Sequence, residues 1–184
     1  MSVAEQLSAG SNVGEEAQIL DSIEKWMERD VRPHVKHFDH ADEYPYEIVE
    51  QMKEMGLFGA IIDTEYGGLG LSASTYAKVV ERMSGEWMAL TGIFNSHLIM
   101  ATLVQRFGTD DQKNRFLPKF ASGELRGGLG LTEPDAGTDL QAIRTKAILD
   151  GDHYVINGTK TWITNAIEGS CFAILVKTDP EADP

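Results

Sequence analysis

The sequence has little of several features that point to particular classes of protein. It contains one cysteine, Cys171, so no disulfide can form within the chain. Lys and Arg number 16 against 29 Asp and Glu, which gives a formal net charge of −13. A field of that sign repels nucleic acids and anionic lipid, so neither a nucleic acid nor a membrane is expected as a partner. No apolar stretch is expected to be long enough to cross a membrane.

The amino terminus also lacks a targeting pattern. Residues 1–18 contain three glutamates and neither Lys nor Arg, whereas secretory and mitochondrial leaders are positively charged. Cys171 lies in an apolar run, residues 171–176, and is expected to be a buried thiol rather than a reactive nucleophile. A lone reduced thiol and the absence of a leader together predict a cytoplasmic location.

Helical periodicity dominates the first two thirds of the chain. Across residues 19–38, apolar side chains recur every three or four positions, which predicts an amphipathic helix that Pro33 interrupts. Gly56 is placed to stop a second helix, and Ser72 or Ser74 to cap a third. The helices after the first are predicted at Tyr46–Met55, from Ser72 to about Leu90, at Thr91–Phe107 and at Asp111–Ala121.

The last third of the chain shows the two-residue alternation of strands. Asp150-Gly151 and Asn157-Gly158 are turn pairs typical of tight hairpins. Helices before strands predict an α+β fold, with a flexible tail at 1–14, an all-α domain at 15–125 and part of a β domain at 126–184. The β part is too short to cover both of its faces, so we expect an interrupted protein. The predicted strands are Arg126–Thr132, Ile143–Leu149, His153–Ile156, Thr159–Thr164 and Ser170–Lys177.

Residues 130–139, with the sequence GLTEPDAGTD, form the densest cluster of unusual residues. The pattern predicts a strand that ends in a turn, where Pro134 fixes one dihedral angle and Gly137 permits a positive one. Such a turn exposes backbone N–H groups beside the hydroxyls of Thr132 and Thr138. These donors suit the carbonyls and nitrogens of a flavin ring or a phosphate, and a purely structural polar turn is the alternative.

A second segment, residues 157–165 with the sequence NGTKTWITN, follows a tight-turn signal. If it forms a strand, Trp162 and Thr164 point to the same face. A large π surface beside a hydroxyl can hold an aromatic cofactor. The alternative is that Trp162 packs between layers of the fold.

Together the two segments resemble the flavin-binding segments of the acyl-CoA dehydrogenase family, in the same order and at a similar spacing. We therefore expect the stretches around Thr132 and Trp162 to fold back and form opposite edges of one slot for a flat ring. The resemblance runs from about Ala17 to Lys177. It implies the family's fold, an N-terminal all-α helical domain followed by the start of an antiparallel β-barrel-like domain, truncated before the C-terminal helical domain. Further stretches that carry the resemblance are Glu54–Gly59, Glu65–Gly70 and Phe107–Pro118.

The resemblance implies FAD as the cofactor and an acyl-CoA thioester as the substrate. Thr132 is expected to hydrogen-bond the isoalloxazine ring, and Thr164 to lie near its reactive N5 edge. Thr138 is expected where FAD and the CoA portion approach each other, and Asn95 and Ile99 are expected to face the acyl group. The expected FAD-binding residues are Leu129, Gly130, Leu131, Thr132, Glu133, Pro134, Gly137, Thr138, Trp162, Ile163 and Thr164.

The family's reaction removes a proton next to the thioester carbonyl while a hydride passes from the next carbon to flavin N5, which gives the 2,3-enoyl-CoA. The family takes its base from the C-terminal helical domain, so we expect no catalytic residue before Pro184 and negligible activity of this chain alone. Glu133 and Asp139 are expected to fix the loop backbone instead. The resemblance also implies electron-transfer flavoprotein as the acceptor, a role in fatty acid metabolism, and a homo-oligomer when full length.

Two alternatives stay open. The same scaffold supports acyl-CoA oxidases, nitroalkane oxidases and flavin monooxygenase relatives, whereas a non-catalytic remnant would only bind a partner subunit. A metal site is not expected. His34, His37 and His40 are spaced by three along a helix, but no second cluster completes a coordination shell, so they are interpreted as a solvated helix end.

Overall fold

The computed structural model describes residues 13–179. Helices come first and strands last, which confirms the α+β class. Of the predicted tail, residues 13 and 14 already belong to the first helix, and residues 1–12 lie outside the described part. The elements in chain order are α1 (Val13–Trp26), a π-helical turn (Met27–Val31), α2 (Arg32–Ala41), α3 (Tyr46–Glu54), 3-10 turns (Leu57–Gly59 and Thr64–Tyr66), α4 (Ala73–Phe107), α5 (Asp110–Ala121), β1 (Gly127–Gly130), a 3-10 turn (Leu140–Ala142), β2 (Lys146–Asp150), β3 (His153–Asn157) and β4 (Cys171–Ile174).

Pro33 interrupts the first helical stretch as predicted. The ring nitrogen of Pro33 has no hydrogen to donate, and the chain widens into a π-helical turn at Met27–Val31 before α2 begins. The apolar stripe stays continuous across this turn, because Trp26 and Val31 are both buried. The interruption therefore re-aims α2 without exposing the core.

Helix α4 folds back on itself at Trp87, whose φ of −154° and ψ of 99° are not helical. The Tyr76 hydroxyl donates to Asn95 Oδ1 over 2.7 Å, although the two residues are 19 apart in sequence. In a straight helix they would be separated by about 28 Å along the axis. The break therefore makes two antiparallel arms, 73–86 and 88–107. The sequence predicted two helices here but placed their boundary at Leu90.

By length and composition, α4 is apolar enough to cross a membrane, which corrects the expectation that no stretch is long enough. Half of its apolar window is buried within the protein. The break at Trp87 also divides the helix into two shorter arms. Both observations fit a helix at the centre of a helical layer.

The helix ends follow local capping rules. The Ser72 hydroxyl accepts from the Thr75 N–H and begins α4. Thr109 and Gln112 form a reciprocal capping box at the start of α5. Gly56 stops α3 with a φ of 73°. These confirm the predicted cap at Ser72 and the predicted stop at Gly56.

The hydrophobic core lies among α1, α3, α4 and α5. Burial of these large side chains is the main source of stability for the helical layer. The largest fully buried side chains are Phe58, Phe94, Phe120, Ile23, Met27, Met52, Leu57, Ile62, Met83, Leu90, Leu98 and Met100.

The strands form two separate pairs among the described residues. β2 and β3 make an antiparallel hairpin, as predicted, but β1 pairs with β4 in parallel, so the antiparallel expectation fails there. The two pairs are joined at Lys177, which accepts from the Ala147 N–H and donates to the Thr145 carbonyl. A Cβ at Gly127 would overlap the Cys171 carbonyl. The close approach of β1 and β4 therefore requires glycine at that position.

The predicted strand at Thr159–Thr164 is not formed, and this expectation is wrong. Gly158 has a φ of 156°, and Trp162 adopts a left-handed φ of 58°. The chain at residues 158–163 has no strand pairing and continues into a turn at residues 164–168. A left-handed residue breaks the alternation of faces on which the argument for Trp162 and Thr164 depended.

Candidate functional site

The two segments that carry the resemblance lie side by side. The Thr161 N–H donates to the Thr132 carbonyl over 2.9 Å, and Lys160 Nζ donates to the Leu131 carbonyl over 2.8 Å. The chain therefore folds the two segments together as predicted, through loop contacts rather than through a strand. We call residues 129–138 the first loop and residues 159–165 the second loop.

Glu133 is the anchor of the first loop. Its carboxylate accepts from the N–H groups of Arg144 and Thr145, over 2.6 and 3.0 Å, and from Lys160 Nζ over 2.9 Å. Its backbone also exchanges both hydrogen bonds with Ala136, which closes the turn around Pro134. The side chain holds the loop backbone, as carboxylates in turns commonly do.

The ionisation of Glu133 is set by these donors. Burial of the carboxyl by itself raises its pKa, but the hydrogen bonds from Lys160, Thr145 and Arg144 outweigh burial and lower the pKa to about 2. A carboxylate held by three donors at so low a pKa is a poor proton acceptor at neutral pH. Asp139 is also engaged, because it accepts from the Gln141 N–H at the start of a 3-10 turn.

The first loop offers hydrogen-bond donors that the protein does not use. Within residues 13–179, no partner is found for the hydroxyls of Thr132 and Thr138, nor for the N–H groups of Leu131, Thr132, Gly137 and Thr138. Thr132 is half-buried and Thr138 is exposed. Unpaired donors on an accessible turn fit the carbonyl and nitrogen acceptors of a flavin ring, so these residues suit the cofactor that the resemblance implies.

The other predicted residues of the first loop occupy distinct places. Leu129 and Gly130 belong to β1, opposite Ala173 and Ile174 of β4. Pro134 and Gly137 are exposed. Gly137 is not among the described glycines with positive φ, so the expected left-handed turn is absent there. A Cβ on Gly137 would meet nothing within 4 Å, which leaves open space above the turn.

The second loop presents its aromatic side chain to solvent. Trp162 is 89% exposed, although a tryptophan on a folded protein normally buries most of its ring. Ile163 is half-buried and Thr164 is exposed. The alternative in which Trp162 packs between layers is wrong in this structure. An exposed ring on a constrained backbone is available for stacking.

Asn165 fixes the second loop to the helical layer. Its Nδ2 donates to the carbonyls of Ile93 and Gly127, both over 2.8 Å, so one amide joins α4 to β1. Asn165 has a φ of 65°, which asparagine tolerates better than most residues. Sequence reasoning did not single out Asn165 or Lys160 individually, although both lie in the segment that carries the resemblance.

A cleft of about 510 Å³ opens beside the second loop. Ile163 and Thr164 line it together with Phe38, Trp87 and Ile93 of the helical layer. Four carboxylates also lie on its wall, at Asp39, Asp42, Glu43 and Glu168. Among the described residues, its lining includes none of the first loop, so this cleft is not a slot enclosed by both loops.

Asn95 and Ile99, the two residues expected at the acyl group, lie on the second arm of α4. The side-chain Oδ1 of Asn95 accepts a hydrogen bond from the Tyr76 hydroxyl, and Ile99 is 42% exposed. The adjacent Ser96 approaches β1, because a Cβ on Gly128 would lie 2.8 Å from its hydroxyl oxygen. This arm therefore runs alongside the strand that leads into the first loop.

No group of three metal-ligating side chains that could hold an ion occurs in residues 13–179. His37 Nε2 lies 3.4 Å from a Glu43 carboxylate oxygen, and both side chains are exposed. This arrangement resembles a solvated helix end rather than a coordination site.

The structure is an α+β fold, in which a helical layer is followed by a small β region. The first and second loops are hydrogen-bonded to each other in the β region. A family model described as "Acyl-CoA dehydrogenase, N-terminal domain" matches residues 14–124, and one described as "Acyl-CoA dehydrogenase, middle domain" matches residues 128–184. The chain belongs to the acyl-CoA dehydrogenase family.

Individual relatives agree with this assignment. The chain is 39% identical over 173 residues to a (2S)-methylsuccinyl-CoA dehydrogenase of Cereibacter sphaeroides, covering 93% of this chain and 32% of the relative. It is 37% identical over 166 residues to a short-chain-specific acyl-CoA dehydrogenase of Clostridium acetobutylicum, covering 90% and 44%. The chain thus spans less than half the length of these two relatives.

Solved structures give the same picture. One from work on the electron transferring flavoprotein of Acidaminococcus fermentans matches with a TM-score of 0.85 and 34% identity, over 92% of this chain and 45% of that one. A glutaryl-CoA dehydrogenase of Mycobacterium smegmatis in complex with FADH2 matches with a TM-score of 0.79 and 28% identity, over 90% and 43%.

Proposed function

We propose that this chain is the N-terminal part of an FAD-dependent acyl-CoA dehydrogenase, which oxidises an acyl-CoA thioester to the 2,3-enoyl-CoA. The observation that carries the proposal is the pairing of the two loops, Thr161 N–H to the Thr132 carbonyl, with unused donors on one loop and an exposed Trp162 on the other. FAD, when bound, supplies the hydride acceptor.

Each loop has a role in this proposal. The hydroxyl of Thr132 and the N–H groups of the first loop donate to the polar edge of the isoalloxazine. The ring of Trp162 packs against the flavin, and Ile163 and Thr164 line it on the same loop. Thr138, exposed at the far end of the first loop, lies where the CoA portion of the substrate approaches.

Asn95 and Ile99 are proposed to face the acyl group from α4. The donation from Tyr76 fixes the Asn95 amide and leaves its Nδ2 available to a ligand. Ile99 supplies apolar surface nearby. Together the two residues offer one polar and one apolar side chain to the acyl group.

We infer that the base that removes the proton is not Glu133 or Asp139, because both carboxylates hold loop backbone. In the family it is expected C-terminal to Pro184. Electron-transfer flavoprotein is proposed as the acceptor of the electrons, fatty acid metabolism as the context, the cytoplasm as the location, and a homo-oligomer as the state of the full-length protein.

Reconstitution with FAD tests the proposal. The purified protein is mixed with FAD, desalted, and examined for flavin absorption bands, and the dissociation constant is measured by flavin fluorescence. The native protein is expected to retain FAD. The double substitution Thr132→Val/Thr138→Val removes two hydroxyl donors and is expected to weaken binding by ~10-fold or more.

The matched control is Thr102→Val, because the Thr102 hydroxyl bonds the Leu98 carbonyl within α4, away from both loops. It is expected to leave FAD binding unchanged. A native protein that takes up no FAD would overturn the proposal. Turnover with acyl-CoA esters and an artificial acceptor is expected to be negligible for the 184-residue chain, and robust turnover would overturn the inference about the base.

A further inference from the structure

The pair formed by Lys160 and Glu133 is unlike the other ion pairs in the described chain. The two side chains are 11% and 6% exposed, whereas every other ion pair among residues 13–179 has at least one side chain more than a third exposed. Taking two charges out of water costs free energy that their mutual attraction commonly fails to recover. Stability alone is therefore a weak reason for the pair.

The contacts of Lys160 show what the pair does. Its Nζ donates to the Leu131 carbonyl over 2.8 Å as well as to the Glu133 carboxylate. Its aliphatic stem passes beside β1, where a Cβ on Gly130 would lie 3.7 Å from Cγ. One side chain of the second loop thus contacts the first loop at three points, Gly130, Leu131 and Glu133.

Glu133 also links the two loops to a third segment, the residues just before β2. Its carboxylate accepts from the N–H groups of Arg144 and Thr145, which precede β2. The other charged groups nearby, Asp135 and Arg144, pair with each other in solvent at 3.0 Å. The buried pair is therefore the only charged link between the two loops in the described structure.

We propose that Lys160 and Glu133 are positioning residues for FAD: they hold the donors of Leu131 and Thr132 in register with Trp162 without touching the cofactor through their charged ends. The inference rests on the proposed function. It follows because the Leu131 carbonyl, gripped by Lys160, is joined through one peptide unit to the unused Thr132 N–H. A shift of that carbonyl turns the N–H by the same rotation.

The test compares the native protein with Lys160→Met, Glu133→Gln, the double substitution, and the control Lys78→Met. Lys78→Met also removes an ion pair, the one between Lys78 and Glu16, but that pair lies on the helical layer. The measurements are the dissociation constant for FAD, the visible bands of the bound flavin, and the free energy of unfolding in urea. Lys160→Met is expected to weaken FAD binding by ~10-fold or more and to shift the flavin bands.

The double substitution separates positioning from stability. It removes the buried negative charge that Lys160→Met leaves without its cationic partner, so it is expected to be more stable than Lys160→Met. Its FAD affinity is expected to stay as weak, because the grip on the first loop is still missing. Recovery of both stability and affinity in the double variant would overturn the inference, as would Lys160→Met binding FAD like Lys78→Met.

The outcomes also separate this inference from the function on which it rests. A native protein that binds no FAD overturns both. A native protein that binds FAD, with all four variants equal to it in affinity and spectrum, overturns the positioning role alone. If Lys160→Met does not fold, the double substitution supplies the affinity and spectral readings.

Discussion

The Tyr76 hydroxyl donates a hydrogen bond to Asn95 across the two arms of α4, over 2.7 Å. Burial raises the pKa of Tyr76 to about 12, so the hydroxyl keeps its proton throughout the neutral range. The bond joins the two arms of α4 on either side of the break at Trp87. It ties the proposed acyl-facing residue Asn95 to the arm that carries Tyr76.

Replacement of Tyr76 by Phe is expected to lower the free energy of unfolding by about 1 kcal/mol, because the hydrogen bond is lost while the ring can stay packed. The measurement is urea unfolding of the native protein, Tyr76→Phe, Asn95→Ala and the double variant. A coupling energy near the single-variant loss is expected between the two sites. Strictly additive losses would show that the two side chains do not interact.

Truncation of Trp162 and truncation of Trp26 should differ strongly in their effect on stability. Trp162 is 89% exposed, so Trp162→Ala is expected to change the free energy of unfolding by no more than about 0.5 kcal/mol. If the ring stacks on flavin, FAD binding should weaken by ~10-fold. Trp26 is 4% exposed, and Trp26→Ala is expected to cost about 3–5 kcal/mol.

Fluorescence provides the second measurement for these variants. Binding of FAD should quench the emission of Trp162, so the quenching should be smaller in Trp162→Ala than in the conservative control Trp26→Phe. Equal FAD affinity in Trp162→Ala and the native protein would contradict the stacking role.

Two glycines near the first loop should differ sharply in their tolerance of a methyl group. Gly127→Ala places a Cβ on the Cys171 carbonyl and is expected to destabilise the protein by about 3 kcal/mol. Gly137→Ala meets nothing within 4 Å and is expected to change stability by no more than about 0.5 kcal/mol. Thermal and urea unfolding of the two variants check this difference, and equal losses would contradict the close pairing of β1 with β4.

Stability is expected to fall as the pH decreases from 6.5 to 4, because of His97. Burial lowers the pKa of this imidazole from 6.5 to about 4, while its Nε2 lies 3.1 Å from the Phe120 carbonyl. In that window the unfolded chain binds a proton that the folded protein does not, so acid favours unfolding. The contribution is fully present above pH 6.5 and is lost progressively down to about pH 4.

The expected loss from His97 between pH 7 and pH 5 is about 2 kcal/mol in the free energy of unfolding. His97→Gln keeps a donor for the Phe120 carbonyl but cannot titrate, and it serves as the control. Its stability should vary less over this range than that of the native protein. Parallel pH curves for the two proteins would show that the pKa of His97 does not differ between the folded and unfolded states.

Local signals in the sequence were enough for the helical layer. Pro33, Gly56 and Ser72 each act within a few residues, through a missing donor, a left-handed stop and a side-chain cap. The break at Trp87 was placed three residues late, at Leu90, although Gly85 lies two residues before it. It is set by packing, where Trp87 stacks on Phe38 and donates to Asp39.

The β region depended on contacts that a sequence pattern does not encode. Alternation at residues 159–164 is compatible with a strand, but the left-handed Trp162 and the grip of Lys160 make this stretch a loop. The parallel pairing of β1 with β4 joins segments more than forty residues apart, from Gly127 to Cys171. The nearness of the two loops was predicted, whereas the ion pair between Lys160 and Glu133 that links them was not.

Asn165 has a consequence for how changes in one layer reach the other. Its amide binds the Ile93 carbonyl on α4 and the Gly127 carbonyl on β1 at equal distances of 2.8 Å. A substitution that shifts α4 is therefore expected to move the second loop and β1 with it. Substitutions buried among the helices are thus expected to change the colour of a bound flavin, through a shift of its absorption maxima, without contacting it.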